Sequence, residues 1–151
     1  MKSQKKLKRF GRMQKIVVDT NVLVSALIQR SYPYHIVAEI FSNDNIQFCL
    51  SDELFAEYFN VLNRKKFSKF SDFISNAQSL LIDIEKRAIK YYPTIRLEVI
   101  SDLDDNKLLE LAETCNANFL ITGNSNDFTM SEYKGTKILS PKDYWTDYMI
   151  E

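Results

Sequence analysis

Glycine and proline are scarce in this chain of 151 residues, which contains three of each. Flexible linkers and low-complexity tracts are usually rich in these residues, so the sequence offers no obvious boundary between two domains. The length suits one compact domain, which would bury about 70% of the surface of its unfolded chain. We therefore predict a single domain over residues 13–151.

Histidine and cysteine are also scarce. The only histidine, His35, argues against a histidine-dependent mechanism or a histidine-rich metal site, and we interpret it as structural. The two cysteines, Cys49 and Cys115, lie in apolar patterns and lack the spacing of a metal site. Buried, reduced thiols in a cytoplasmic protein are the preferred interpretation.

Long hydrophobic runs are missing, and none approaches the roughly 18 apolar residues that would span a bilayer. We therefore predict no membrane association. The first 12 residues hold six of the 20 basic residues and no acidic one, which leaves 14 bases against 20 acids, a net charge of −6. No signal-peptide core follows them, because Asp19 interrupts the apolar run. We interpret residues 1–12 as a flexible extension or an upstream start, with a nucleic-acid-binding arm as the alternative.

What the sequence does contain is an alternation of short apolar runs and amphipathic segments. The runs predict strands at Lys15–Asp19, Ile46–Leu50, Asn118–Thr122 and Thr136–Leu139. Apolar residues recur at helical spacing in 22–27, 52–62, 72–90 and 105–115, and further helices are predicted to begin at Pro33 and Pro141. The alternation of Ile95, Leu97 and Val99 predicts a short extended piece. This order predicts an α/β fold: a three-layer α/β/α sandwich with a short, mostly parallel sheet.

Asp19 is the residue that such a fold leaves unexplained. It ends the apolar first strand, at the edge where ligands bind in parallel α/β sheets. A carboxylate there is costly to bury without a partner, so we favour a functional role over a structural one.

Three other acids are expected at the same edge. Glu57 lies early in the helix after the second strand, Asp105 near the start of the helix that carries Leu108, and Asp127 in the loop after Asn118–Thr122. Each one alone could be a solvated residue or a helix cap, and capping is the interpretation that we prefer for Asp102 and Asp104. Their shared edge is what argues for a site.

Carboxylates gathered at one point repel each other, and a divalent cation removes that conflict. Mg²⁺ and Mn²⁺ prefer hard oxygen ligands, and Mg²⁺ is usually bound through a few carboxylates together with substrate phosphates. Such an ion can also activate water for attack on phosphorus. The pattern therefore indicates metal-dependent phosphodiester chemistry.

The residues carrying this pattern resemble those of the PIN-domain nucleases, especially the VapC-like toxin components of toxin–antitoxin pairs. The resemblance covers nearly all of residues 14–145. It rests on four segments in order: VVDTNVLVSAL (17–27), LSDELFAEYFNVL (50–62), SDLDDNKLLELAETCNANFLITGN (101–124) and ILSPKDYW (138–145).

The resemblance implies Mg²⁺- or Mn²⁺-dependent cleavage of RNA. Asp19, Glu57 and Asp105 match the family's first three acids. The polar supporting positions are matched by Thr20, Asn21 and Thr122. One departure concerns the residue after Gly123: many relatives have aspartate there, whereas this chain has Asn124. The fourth carboxylate must then come from Asp127 or be absent, which would affect a second metal site more than the first.

The family also implies partners: an RNA substrate, a small antitoxin protein and, in many members, a second copy of the chain. A basic segment follows the helix of Glu57 and could contact the phosphates that flank the scissile bond. It consists of Arg64, Lys65, Lys66 and Lys69. A solvated helix end is the alternative interpretation of this segment.

Two other functions are weighed against the nuclease. A catalytically degenerate PIN domain that binds RNA or protein is favoured by Asn124. An aspartate-based phosphotransferase of the haloacid-dehalogenase type also places an aspartate after its first strand. That chemistry needs a second aspartate two residues later, where this chain has Asn21, so we disfavour it.

Overall fold

The structure is a computed structural model that describes residues 13–98, 103–125 and 128–149, with the backbone alone at 103 and 104. Its sheet contains six strands in these ranges, in the order β3-β2-β1-β4-β6-β5. The strands are β1 (Gln14–Val18), β2 (Ile46–Leu50), β3 (Ile89–Lys90), β4 (Phe119–Ile121), β5 (Glu132–Tyr133) and β6 (Thr136–Leu139). All neighbouring pairs are parallel except β5 with β6.

The helices of the described residues alternate with these strands, as the sequence predicts. They are α1 (Thr20–Ile28), α2 (Tyr32–Ser42), α3 (Asp52–Leu62), α4 (Phe73–Arg87), α5 (Leu103–Cys115) and α6 (Pro141–Asp147). Pro33 lies in the first turn of α2 and Ser51 caps α3, accepting a 3.1 Å hydrogen bond from Leu54 N, both as expected.

The sheet is covered on both faces. Ile16, Val17 and Val18 are each fully buried, and successive residues of a strand point to opposite faces. Helices must therefore pack against both sides of β1, which gives three layers. The predicted α/β sandwich with a mostly parallel sheet is confirmed.

Register brings the candidate residues together. In the parallel pair of β1 and β4, Val18 lies opposite Ile121. Parallel strands end at the same edge of a sheet, so the residues that follow them, Asp19 and Thr122, are neighbours there.

Two predicted boundaries differ from the structure. The helix predicted to reach residue 90 ends at Arg87, and β3 follows on the parallel edge of the sheet. The helical pattern continued through Ala88 because an apolar residue suits either element. Residues 91–98, predicted in part as an extended piece, contain no regular secondary structure, and Val99 lies outside the described residues.

Besides β3, two short elements were not predicted. Lys65–Lys69 form a 3-10 helix, and β5 pairs with β6 in a hairpin. At the hairpin turn Lys134 and Gly135 both have positive φ, 46° and 87°, the conformation of a two-residue turn that suits the twist of antiparallel strands. A glycine in an otherwise polar stretch was the only signal for it.

The two cysteines lie in the core, as expected, whereas the histidine is exposed. Cys49 and Cys115 are free and buried. His35 lies on the surface, with its ring centroid 5.6 Å from that of Trp145. The rings of Phe67 and Phe73 are buried and stack 4.8 Å apart, as core residues do. Within the described ranges, no helix has the length and apolar character that a membrane span needs.

Candidate active site

Asp19 stands where the sequence predicts, in the turn between β1 and α1. It is the N-cap residue of α1, yet its carboxylate makes no capping hydrogen bond to that helix. Instead, Asp19 is 7% exposed, and its carboxylate accepts a 2.9 Å hydrogen bond at Oδ2 from the hydroxyl of Thr122. Capping therefore does not explain this acid.

Polar groups from α1 and from the end of β4 hold Asp19 in place. Asn21 Nδ2 lies 3.5 Å from Asp19 Oδ2, and Asn21 Oδ1 accepts from Gly123 N at 3.1 Å. A Cβ at position 123 would lie 3.3 Å from Asn21 Oδ1, which is tighter than an ordinary contact, so glycine favours this approach. Asn124 N donates to Thr122 Oγ1 at 3.0 Å. The β1 and β4 ends are thus linked by side chains.

The environment of Asp19 opposes its negative charge. Burial raises the pKa of this carboxyl above its ordinary value of 3.8, the hydrogen bond from Thr122 counteracts the rise in part, and the charge of Glu57 raises the pKa further. A cation bound beside Asp19 would favour the ionised form.

An open cleft of about 340 Å³ lies in front of Asp19. Most of its described lining residues carry oxygen or amide groups, and they come from four separate segments of the chain. They are Asp19, Thr20, Asn21, Val24, Ser25, Val61, Asp105 and Asn124. The structure therefore brings Asp19 and Asp105 to one cleft, together with the predicted supporting residues Thr20, Asn21 and Asn124.

Glu57 lies beside this cleft, where its charge reaches Asp19, but it is not among the described lining residues. One of its carboxylate oxygens accepts a short hydrogen bond from Thr20 Oγ1. The other forms a close ion pair with Lys107 Nζ. Lys107 was not recognised from the sequence, where only its position two residues after Asp105 could have drawn attention to it.

Tyr58 is a second residue that sequence reasoning did not recognise as part of the site. It is fully buried, and its hydroxyl donates a short hydrogen bond to the backbone carbonyl of Val18, directly before Asp19. Its aromatic character and helical spacing indicated a core residue, which it also is. The side chain thus ties α3 to the end of β1.

Asp127, the candidate fourth carboxylate, and Asp102 lie outside the described residues. For Asp104 the backbone alone is described. Among the residues that are described, no three carboxylate, imidazole or thiol side chains lie close enough to hold one metal ion.

A larger groove of about 550 Å³ lies between α1, α2 and α4. It contains none of the predicted site residues, and its lining mixes apolar side chains such as Leu27, Val37 and Phe41 with Arg30 and Asp83. The smaller cleft is the candidate active site because the buried carboxylate faces it.

The predicted basic segment is exposed. Lys65, Lys66 and Lys69 belong to the 3-10 helix, and Arg64 immediately precedes it. The ammonium groups of Lys66 and Lys69 lie over the rings of Phe67 and Phe70, at 5.1 and 5.4 Å from their centroids. The phenylalanines thus anchor a cationic surface directly after α3.

Comparison with known proteins adds to this geometry. Residues 15–126 match the family described as the PIN domain. A chain of the crystal structure of VapBC2 from Rickettsia felis, bound to a DNA fragment from their promoter, is similar in fold. It has a TM-score of 0.52 and 20% sequence identity, over 84% of this chain and 98% of that chain. None of the curated protein sequences is significantly similar.

Proposed function

Because the chain belongs to the PIN domain family, we propose that it is a metal-dependent endoribonuclease that hydrolyses RNA phosphodiester bonds. The observation that carries the proposal is the buried Asp19 carboxylate, held at the end of β1 by Thr122 and facing the same cleft as Asp105. The family supports nuclease chemistry as the class of activity. We propose in addition that this activity depends on a divalent metal ion and that its substrate is RNA.

The donor groups at the cleft fit Mg²⁺ or Mn²⁺. Carboxylates of Asp19 and Asp105 and the amide oxygen of Asn124 are hard oxygen ligands of the kind that these ions prefer. The pKa of Asp19 is raised by burial, and a bound cation would offset that cost. Asp19 and Asp105 would hold the principal ion, Glu57 would complete the acidic cluster, and Asp127 is the proposed fourth acid.

A divalent ion in this position would supply Lewis acidity toward the phosphodiester and lower the pKa of the attacking water. The contribution of the protein's own side chains is to hold the metal ligand and the RNA in position. Thr122 and Asn21 fix the Asp19 carboxylate, and the hydrogen bond from Tyr58 fixes the backbone before it. The exposed basic segment 64–69 would bind phosphates on either side of the cleavage position.

We propose further that the chain is the toxin of a type II toxin–antitoxin pair. The similarity in fold to the Rickettsia felis VapBC2 complex supports this, as does the family. A small antitoxin partner, a homodimer, a cytoplasmic location and the division into residues 1–12 and 13–151 are predictions of the same proposal. The toxin role predicts growth arrest on expression of this chain, and it predicts a small protein encoded beside it whose co-expression relieves the arrest.

The nuclease is tested with purified protein, Mn²⁺ and a mixed RNA substrate. We expect cleavage that EDTA abolishes and that Asp19→Asn reduces at least about a hundredfold, because the ligand of the principal ion loses its charge. Asp83→Asn, at an exposed position on α4, is the matched control and should cleave normally. Equal cleavage by Asp19→Asn and the unsubstituted chain would contradict the proposed site.

A second candidate is a PIN domain that binds RNA or protein without cutting it. The observation that favours it is Asn124, a neutral amide lining the cleft at a position where many members of the family have an acid. Asn124→Asp separates the two functions. If the native chain binds RNA but does not cut it, and Asn124→Asp cuts it in Mn²⁺, the chain is a degenerate nuclease.

A further inference from the structure

Lys107 is built into the acidic site. Its side chain is 16% exposed and that of Glu57 is 23% exposed, and the ammonium and carboxylate are in direct contact. The second oxygen of Glu57 accepts from the Thr20 hydroxyl. Because both oxygens have donors from the chain itself, Glu57 is satisfied without any added ion.

The position of Lys107 follows from the packing of two helices. Glu57 is on α3 and Lys107 is on α5, two residues beyond Asp105. Asp105 lines the cleft, and Lys107 reaches Glu57 beside it.

The charge of Lys107 also acts on the principal carboxylate. It acts on the Asp19 carboxylate in opposition to the negative charge of Glu57. A lysine and a glutamate in contact add no net charge near Asp19. The surroundings of Asp19 and Asp105 therefore carry less negative charge than a cluster in which Glu57 has no basic partner.

We propose that the Lys107 ammonium serves as a fixed counter-charge for Glu57 in the place of a second divalent ion, so that the site binds one ion at Asp19 and Asp105. The inference rests on the proposed metal-dependent function. Lys107 is a positioning residue: it holds Glu57 and sets how many cations the site accepts.

The rival is that Glu57 ligates the ion directly and leaves Lys107 when the ion binds. The two possibilities differ in what happens when both charges are removed. If Glu57 and Lys107 only neutralise each other, replacing both with neutral side chains leaves the ion site intact. If Glu57 is a ligand, the same replacement weakens ion binding whatever stands at position 107.

The experiment measures Mn²⁺ binding to the full chain by isothermal titration calorimetry, with electron paramagnetic resonance to count bound ions. The variants are Lys107→Met, Glu57→Gln and the double variant, and Lys107→Arg is the matched control that keeps the charge. Unfolding in EDTA checks that each one folds. The double variant contains neither charge and therefore removes the ion pair as a whole.

We expect one Mn²⁺ per chain for the native protein and for Lys107→Arg. Lys107→Met should bind a second Mn²⁺ and should bind the first at least about tenfold more tightly, because Glu57 becomes available as a negative charge. Glu57→Gln should weaken binding by about tenfold, since a negative charge that opposes the charge of Lys107 beside the ion is removed. The double variant should return to one ion with an affinity within about threefold of the native value.

Two results would overturn the inference and leave the proposed function intact. The first is that Lys107→Met binds Mn²⁺ no more tightly than the native chain, and the second is that the double variant binds Mn²⁺ as weakly as Glu57→Gln. Both apply provided that Asp19→Asn abolishes Mn²⁺ binding. A native chain without Asp19-dependent Mn²⁺ binding would instead contradict the proposed function, and the inference with it.

Discussion

The hydroxyl of Thr122 donates a 2.9 Å hydrogen bond to Asp19 Oδ2, although 103 positions separate the two residues in the chain. The contact exists because β1 and β4 are adjacent and parallel and end at the same edge of the sheet. The same hydroxyl accepts from Asn124 N. A single threonine thus joins the candidate metal ligand to the loop that follows β4.

Replacing Thr122 by valine should weaken both the fold and the activity. The isosteric methyl group leaves a buried carboxylate without its donor, and we expect the free energy of unfolding to fall by about 1–3 kcal/mol. Thr122→Ser keeps the hydroxyl and should lose much less. Urea denaturation in EDTA measures the stability, and RNA cleavage in Mn²⁺ measures the activity. Equal stability of the two variants would show that the hydrogen bond contributes little.

The burial of Asp19 predicts how stability depends on pH. Its folded-state pKa lies above the ordinary value of 3.8. Between 3.8 and the raised value, the folded chain keeps the proton that the unfolded chain has lost. The contribution of Asp19 to the free energy of unfolding therefore falls as pH rises through this window, and the loss persists above it.

Asp19→Asn removes this titration, so the variant should gain stability relative to the native chain as pH rises. Urea denaturation without divalent ions, at pH values from about 4 to 7, measures the difference. Asp83→Asn corrects for the general effect of losing an acid. A difference that stays constant or shrinks with rising pH would contradict the raised pKa.

Tyr58→Phe tests the tie between α3 and the end of β1. Without the hydroxyl, the buried carbonyl of Val18 loses its side-chain donor, and we expect a loss of about 1–3 kcal/mol in the free energy of unfolding. Tyr92 is 69% exposed, so Tyr92→Phe is the matched control and should change stability little. Both variants are compared by urea denaturation.

The basic segment predicts a change in the salt dependence of RNA binding. Each phosphate contact to single-stranded nucleic acid contributes about 0.7 to the slope of log K against log salt. Replacing Lys65, Lys66 and Lys69 by glutamine in an Asp19→Asn background should therefore reduce the slope by about 2. Fluorescence anisotropy with a labelled RNA measures this.

The control for that experiment removes charge elsewhere. Lys86 and Lys142 are exposed on α4 and α6, and replacing them by glutamine should leave the slope nearly unchanged. If both sets of substitutions lower the slope equally per lysine, RNA binding is governed by overall charge, and the segment 64–69 is not a specific contact surface.

Local patterns were enough to predict most of the fold. Strands β1, β2, β4 and β6 and the helices around them follow from apolar periodicity and capping, which act over a few residues. The short β3 and β5 were missed because two residues carry no periodicity, and their strand character comes from the neighbouring strand. Helix α4 is shorter than predicted because the apolar Ala88 after its end suits either a helix or a strand.

The sequence by itself determined the order of elements, and with it the place of Asp19 at the end of a buried strand. Because the apolar run ends where the helical spacing begins, that carboxylate must lie at the carboxyl end of a strand in the parallel sheet. Only the tertiary structure decided what surrounds Glu57. Its ion pair with Lys107 joins residues 50 positions apart, and it depends on how α3 and α5 pack, which no local pattern of apolar residues specifies.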